Sequence, residues 1–359
     1  MYRNSTIGVV VPAYNEEAFV GGVVRDLPEF VDAVYLVDDA STDETWAAMG
    51  EAMEAREVGG TAVPAASAAT ERRVRSVADR ISDSETIGNV TRLRHSENRG
   101  AGGAVKTGYL AALEDGVDVI ATIDGDGQMD SGRLPRILDP VVTGQAEYAK
   151  GNRFAGRDLV REMPAFRLFG NVLLTGLTRV ASGYWQLSDP QNGFTAVSRD
   201  ALKQVDVDGI WEYYGYMNQL MAQLNAANVR VADVPMPVTY GDEESSIDYL
   251  QYIRRVSLLL LVSFVRRLSR KYSERNPSLV PVCYAVGATV GSVTVLGGLL
   301  SAATGDRKRI SRRTTAGGLV ISLAAFVVAA VLDRAAIPIA VDATKTRPGL
   351  ESDGTGWER

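Results

Sequence analysis

From Thr6 to about residue 245 the chain alternates short apolar runs with helix-like stretches, and this alternation limits the folds open to it more than any other feature. "TIGVVVPAYNE" reads as a strand ending at Pro12, and "VGGVVRDLPEF" as a helix. "VDAVYLVDDASTDET" gives a second strand that breaks into an Asp/Ser/Thr turn, where Asp43 is placed to cap the next helix. "VTRLRHSENRGAGGAVKTGYLAAL" repeats the plan, and "VDVIATIDGDGQM" supplies a fourth strand, apolar up to Asp124. The pattern predicts an α/β fold with a mostly parallel sheet covered by helices on both faces. Ligands of such sheets collect at the carboxyl ends of strands, so Asp38 and Asp39, Asn98 and Arg99, and Asp124 and Asp126 fall around one site. Residues 58–89 interrupt the alternation with small residues and an arginine-rich run, which reads as a surface insertion.

Scarce residue types narrow the chemistry. Cys283 is the lone cysteine and His95 the lone histidine. Internal disulfides, cysteine-cluster metals, histidine-rich zinc sites and a histidine general base elsewhere are excluded, so any metal is a hard cation on oxygen ligands. His95 itself reads as a strand-end residue without a catalytic part. With 44 acidic against 38 basic residues and a formal charge of −6, no nucleic-acid footprint is present.

"IDGDGQMD" places Asp124, Asp126 and Gln128 at alternate positions after a buried strand. Such a set can clamp Mg²⁺ or Mn²⁺, which shares its shell with substrate phosphates and offsets charge on a leaving diphosphate. Gly125 and Gly127 let backbone and phosphate approach closely. An EF-hand is disfavoured, because the twelfth position from Asp124 is Pro135 and not glutamate. "NRGAGGA" lacks the G-x-G-x-x-G spacing and follows the third strand, so it serves close helix packing and not a nicotinamide or flavin site.

The far end is apolar. Leu279 to Thr304 runs about 26 residues without a charge and reads as a membrane span, and Ala316 to Leu332 gives about 17 more, at the short limit of one. The run Val256 to Val265, flanked by basic residues, reads as an interfacial helix within a juxtamembrane segment 248–278, its arginines meeting anionic lipid. Basic stretches stand on both sides of the first span, and the one beside the folded domain is placed on the cytosolic side. A polar tail, 333–359, follows.

Taken together, "VVVPAYNEE", "LVDDASTDET", "NRGAGGA", "IDGDGQMD", "KGNRF" and "SDPQNGF" resemble, in order, the GT-A glycosyltransferases of family 2, and within them the archaeal type of dolichyl-phosphate sugar synthase, over about residues 5 to 247. The resemblance implies a GT-A, Rossmann-like domain over 1–247 with a C-terminal transmembrane hairpin, and a multi-pass membrane protein whose catalytic domain is cytoplasmic. It implies that Pro12, Tyr14, Glu16, Val37 and Asp39 hold the base and ribose of a nucleotide sugar. Asp124, Asp126 and Gln128 would hold the metal and diphosphate, with Gly125 beside them. Arg153, and by a looser alignment Arg167, would meet the phosphate of a dolichyl or similar polyprenyl phosphate. Asp189 would orient the sugar or the attacking phosphate, or serve as a cap. "YGDEESSIDY" departs from the mannose-specific pattern, with Ser246 where a basic residue is usual, which passes that charge to Arg254 or Arg255.

A phosphate acceptor also suits the residues themselves. A phosphate monoester, with a second pKa near 6, is largely ionised at pH 7 and needs cations more than a base. Lys150, Arg153, Arg157, Arg161 and Arg167 follow the fourth strand. A hydroxyl acceptor on a glycan or other lipid would instead need a base, for which Asp189 and Glu212 are the candidates, and a non-catalytic nucleotide-binding membrane scaffold is the alternative outside the enzymes.

Overall fold

In this computed structural model the described residues are 1–59, 76–153, 165–236, 249–272, 278–304, 312–335 and 341–342. The strands are β1 (Ile7–Ala13), β2 (Ala33–Asp38), β3 (Ile81–Ile87), β4 (Val90–His95), β5 (Val119–Thr122), β6 (Tyr148–Asn152), β7 (Thr195–Ser198), β8 (Val231–Pro235) and the two-residue β9 (Val341–Asp342). The helices are α1 (Val20–Arg25), α2 (Thr45–Gly59), α3 (Ala101–Asp115), α4 (Leu134–Val142), α5 (Ala165–Ser182), α6 (Arg199–Lys203), α7 (Tyr216–Ala226), α8 (Tyr249–Lys271), α9 (Leu279–Thr304) and α10 (Arg312–Ala335).

One sheet of order β3-β4-β2-β1-β5-β7-β6-β8-β9 organises the domain. The pairs β2–β4, β1–β2, β1–β5, β6–β8 and β8–β9 are parallel, whereas β3 and β7 run antiparallel to their neighbours. Strand alternation sends Ile7, Val9 and Val11 into a core with α1, α2 and α4, and Val10 into a second core with α3 and α7. Burial on both faces explains why the strands read as continuous apolar runs. This is the GT-A arrangement, a mostly parallel sheet between helical layers.

The stretch 58–89 is more than an insertion. Residues 60–75 lie outside the described residues, but 81–87 form the edge strand β3 on β4. Its half-exposed, Ser/Asp/Glu-rich face hid the strand from an apolar-run criterion. Val77 is fully buried, and Arg80 reaches Glu212 at 2.8 Å.

The interfacial segment belongs to a longer helix, the 23-residue α8, which packs on α5 and α7. Leu258, Leu261 and Val265 are exposed on its outer side. The described parts of α9 and α10 include stretches of 24 and 23 residues long and apolar enough to cross a bilayer. They pack side by side through small residues: Ser322 Oγ donates to the Gly287 carbonyl at 2.7 Å, and Gly318 abuts Thr294.

Candidate active site

Register decides which residues meet at the carboxyl ends of the strands. Pro12 lies opposite Val37, Ala13 opposite Asp38, and Val10 opposite Thr122. Gly125 N donates to the Pro12 carbonyl at 3.0 Å, pinning the turn after β5 to the turn after β1. β7 is inserted antiparallel between β5 and β6, with Thr195 opposite both Thr122 and Lys150. The residues before β7 therefore meet those that follow β5 and β6. Asp189, Arg153 and the Asp124–Asp126 turn converge by this crossing of strand directions.

Arg153 and the acidic turn border a cavity of about 450 Å³ whose lining also includes Gln128, Gln191 and Tyr214, while Asp189 is buried behind Arg153. Gln128 N donates to Asp126 Oδ1 at 2.9 Å, closing the turn. Burial, then the neighbouring charge of Asp126, pushes the Asp124 carboxyl up to about 7, although Arg153 pulls the other way. Burial also raises Asp126, against the hydrogen bond from Gln128. Two carboxylates that resist joint ionisation form a site short of positive charge. Their hard oxygens fit a divalent cation of the Mg²⁺ or Mn²⁺ kind. Among the described residues no group of three or more His, Cys, Asp and Glu gathers, so such a cation would complete its shell with diphosphate and water oxygens. Gly193 leaves the room: a Cβ there would stand 2.6 Å from Asp124 Oδ2.

Arg153 forks onto Asp189, with Nε at 2.7 Å from Oδ2 and Nη2 at 3.0 Å from Oδ1, while its backbone N donates to Oδ2 at 3.1 Å. Burial alone would raise the Asp189 carboxyl, but the hydrogen bond and charge of Arg153, helped by Lys150, hold it below the usual range. Glu212 is likewise below its ordinary value: burial opposes this, but Arg80 at 2.8 Å and Lys106 at 3.3 Å outweigh it. Both candidate bases are thus held as anions by cations, and neither is suited to take a proton.

Several expected site residues are placed differently. Lys150 is not an acceptor cation: it is fully buried, and its Nζ donates to Asp233 Oδ1 at 3.1 Å and to the Gly151 carbonyl at 3.0 Å. Asp39 is buried, accepting from Arg99 N and Gly100 N at 2.7 Å each, with His95 Nδ1 at 2.6 Å from its Oδ1. Val37 lies in the core beneath, so only its main chain is open to a nucleotide role. Tyr14 is 45% exposed, and Glu16 N is fixed by Thr45 Oγ1 at 2.8 Å. Asp43 closes its turn onto Thr45 as expected of a cap, accepting from Thr45 N at 3.1 Å. The "NRGAGGA" glycines pack mainly against the 211–213 loop, with Gly103 N donating to the Glu212 carbonyl at 2.8 Å, and α3 closes on the sheet at Gly108 beside Val10. Arg157, Arg161 and Ser246 lie outside the described residues, as do the side chains of Arg167 and Arg254, while Arg255 is exposed on α8.

Tyr214 was not legible as a site residue. Its "WEYYGYM" stretch reads as core, yet Tyr214 is 63% exposed and lines the cavity. The adjacent Tyr213 carried the warning, since consecutive side chains rarely share one buried face.

The chain is similar to several known proteins. A 27% identical relative is the UDP-N-acetylglucosamine–dolichyl-phosphate N-acetylglucosaminyltransferase of Methanococcus voltae, aligned over 66% of this chain and 86% of that protein. The undecaprenyl-phosphate mannosyltransferase of Micrococcus luteus is 30% identical over 42% of this chain and 61% of its own. Among solved structures, the glucosyl-3-phosphoglycerate synthase of Mycobacterium tuberculosis superposes with a TM-score of 0.49 at 22% identity, covering 73% of this chain and 81% of that one. The model of glycosyl transferase family 2 matches residues 8–59 and 69–206, more than half of the chain, and the chain belongs to that family.

Proposed function

We propose that this glycosyltransferase moves a sugar from a UDP- or GDP-linked donor onto a dolichyl or similar polyprenyl phosphate at the cytosolic face of a membrane, for protein N-glycosylation or surface-glycan assembly. The observation that carries the reading is one cavity with two carboxylates on one wall and Arg153 on another, while both candidate bases are ion-paired. The two relatives named for polyprenyl-phosphate acceptors support it, and since their sugars differ the donor stays at the level of a nucleotide sugar.

In this reading the turn 124–128 receives the donor diphosphate, and Gly125 and Gly193 let it come close. A divalent cation on Asp124 and Asp126 would offset the charge that collects on the diphosphate as it leaves. Arg153 faces the acceptor phosphate with its guanidinium, and Asp189 sets the plane of its fork. The ionised phosphate oxygen attacks the anomeric carbon directly. A carbon–oxygen bond to phosphate forms as the bond to the diphosphate breaks, with inversion and without a proton to remove. α9 and α10 span the bilayer with both domain-side ends on the cytosolic side.

The test uses the full chain in membranes, a panel of labelled nucleotide sugars and polyprenyl phosphate, with and without EDTA. Label is expected in an acid-labile lipid, lost on chelation, restored by Mn²⁺ or Mg²⁺, and lost in Asp126→Asn. Transfer that survives both changes would refute the metal role, and transfer only to hydroxyl acceptors would refute the acceptor.

A further inference from the structure

Among the described residues, one heavily committed cation lies away from the cavity. Arg267 on α8 and Asp333 near the end of α10 are both wholly buried, with Nη1 at 2.9 Å from Oδ1 and Nη2 at 2.8 Å from Oδ2. Arg267 Nε also donates to the Ala181 carbonyl at 2.9 Å, Nη2 to the Val180 carbonyl at 3.3 Å, and Nη1 to Asn225 Oδ1 at 3.3 Å. Tyr272 Oη adds a bond to Asp333 Oδ1 at 2.9 Å. One guanidinium thereby joins α8, the last turn of α5, α7 and the second apolar helix.

Local preference does not explain Asp333. An acid in the last turn of a helix opposes the helix dipole, and burying a charged pair costs more than it returns unless its geometry is excellent. The pair is therefore maintained by what it joins. From Ala181 the chain passes Gly183, whose left-handed φ of 77° leaves room for the guanidinium, and a Cβ there would stand 2.4 Å from Arg267 Nη1. Arg179 Nε holds the Leu187 carbonyl at 2.7 Å, and Ser188 N donates to Asp233 Oδ2 at 3.2 Å. The next residue is Asp189, which carries Arg153. The segment from Ala181 to Asp189 thereby connects the anchor of the apolar hairpin to Arg153 at the cavity.

We propose that Arg267 and Asp333 are positioning residues for transfer: they lock the hairpin to the end of α5 and so set where Arg153 stands relative to a phosphate presented by the bilayer. This rests on the polyprenyl-phosphate reading. A lock of this kind matters little for an acceptor that diffuses in water, and much for one anchored in lipid, whose phosphate has a fixed depth.

The test compares the wild-type chain with R267M/D333L in nanodiscs, since exchanging both charges for apolar groups is often neutral for folding. The expected result is an unchanged KM for the nucleotide sugar and for a short water-soluble prenyl phosphate, with KM for bilayer-embedded polyprenyl phosphate raised by about tenfold or more. Spin labels at Gln204→Cys and Val320→Cys, in a Cys283→Ser background, should change from one narrow distance to a broad distribution. Arg267→Lys, which keeps the charge but not the fork, should fall between; it decides the matter if the double variant does not fold. Wild-type KM for the embedded acceptor together with an unchanged distance distribution would overturn the proposal. A wild-type chain inactive on both prenyl acceptors would instead refute the acceptor reading, and the label distances would still decide whether the pair holds the hairpin.

Discussion

The Asp124 carboxyl, pushed from 3.8 up to about 7, makes cation binding at the cavity depend on pH in a calculable way. A cation on that carboxylate competes with a proton, so its apparent dissociation constant carries the factor 1 + 10^(pKa − pH). With a pKa of about 7 the factor is about 11 at pH 6 and about 1.1 at pH 8, so Mn²⁺ should bind about tenfold more tightly at the higher pH. The sign for folding is the reverse. A carboxyl raised in the fold contributes stability below about pH 4, and that contribution is lost as pH rises through about 7, so the cation-free protein loses stability across the window in which the cation gains affinity. Calorimetry of Mn²⁺ binding with saturating nucleotide sugar reads this directly. A diphosphate esterified on both sides does not titrate there, so protons released come from the protein. About half a proton per cation should be released at pH 7, seen as a dependence of the heat on buffer ionisation. Asp126→Asn removes the second cause of the shift, and should lower the affinity while shrinking the release at pH 7. Affinity that is flat from pH 6 to pH 8, with no proton release, would refute the reasoning.

Lys150→Met should destabilise the fold by about 3 kcal/mol in denaturant unfolding, because it strands the Asp233 carboxylate, and Lys150→Met with Asp233→Asn should recover most of that loss. Gly193→Ala should cut cation-dependent turnover at least about tenfold while moving the melting midpoint little, since its Cβ displaces the Asp124 carboxylate and not the core; unchanged turnover would mean that Asp124 does not need its present position. Arg153→Lys, which loses the fork onto Asp189, should raise KM for the phosphate acceptor about tenfold and leave KM for the nucleotide sugar unchanged, and an equal rise in both would argue that Arg153 serves the donor.

The sheet and the acidic turn were legible because both follow from local signals. Apolar runs ending in polar clusters gave the parallel strands, and strand-end placement gave the neighbourhood of Asp38, Asp124 and Asn98. β3 was hidden because "ISDSETI" has an edge strand's polarity. The fates of Lys150 and Arg267 were hidden for a different reason. Their partners, Asp233 and Asp333, are 83 and 66 residues away, and nothing local separates a buried ion pair from a solvated lysine or arginine. Arg153 and Asp189 were each legible as site residues, but their mutual bond depends on β7 entering antiparallel between β5 and β6, which no run of apolar residues encodes.

The lone histidine shows why access must be weighed with geometry. His95 lies 2.6 Å from Asp39 Oδ1 and 2.8 Å from Thr107 Oγ1, the acid–imidazole–hydroxyl order of a proton relay. Yet His95 is 1% exposed and Thr107 fully buried, so neither touches a substrate. Through these two hydrogen bonds the ring bridges the end of β2 to α3. Asp39 spends the rest of its capacity on Arg99 N and Gly100 N, and Asn98 Nδ2 reaches the Asp39 carbonyl at 3.3 Å. In the reading proposed above, Asp39 then acts on the donor by fixing the Asn98–Gly100 turn beside it more than through a free carboxylate. His95 is the brace that holds Asp39 in place for that task, and the transfer itself is left to groups that face the cavity: Asp124, Asp126 and Arg153.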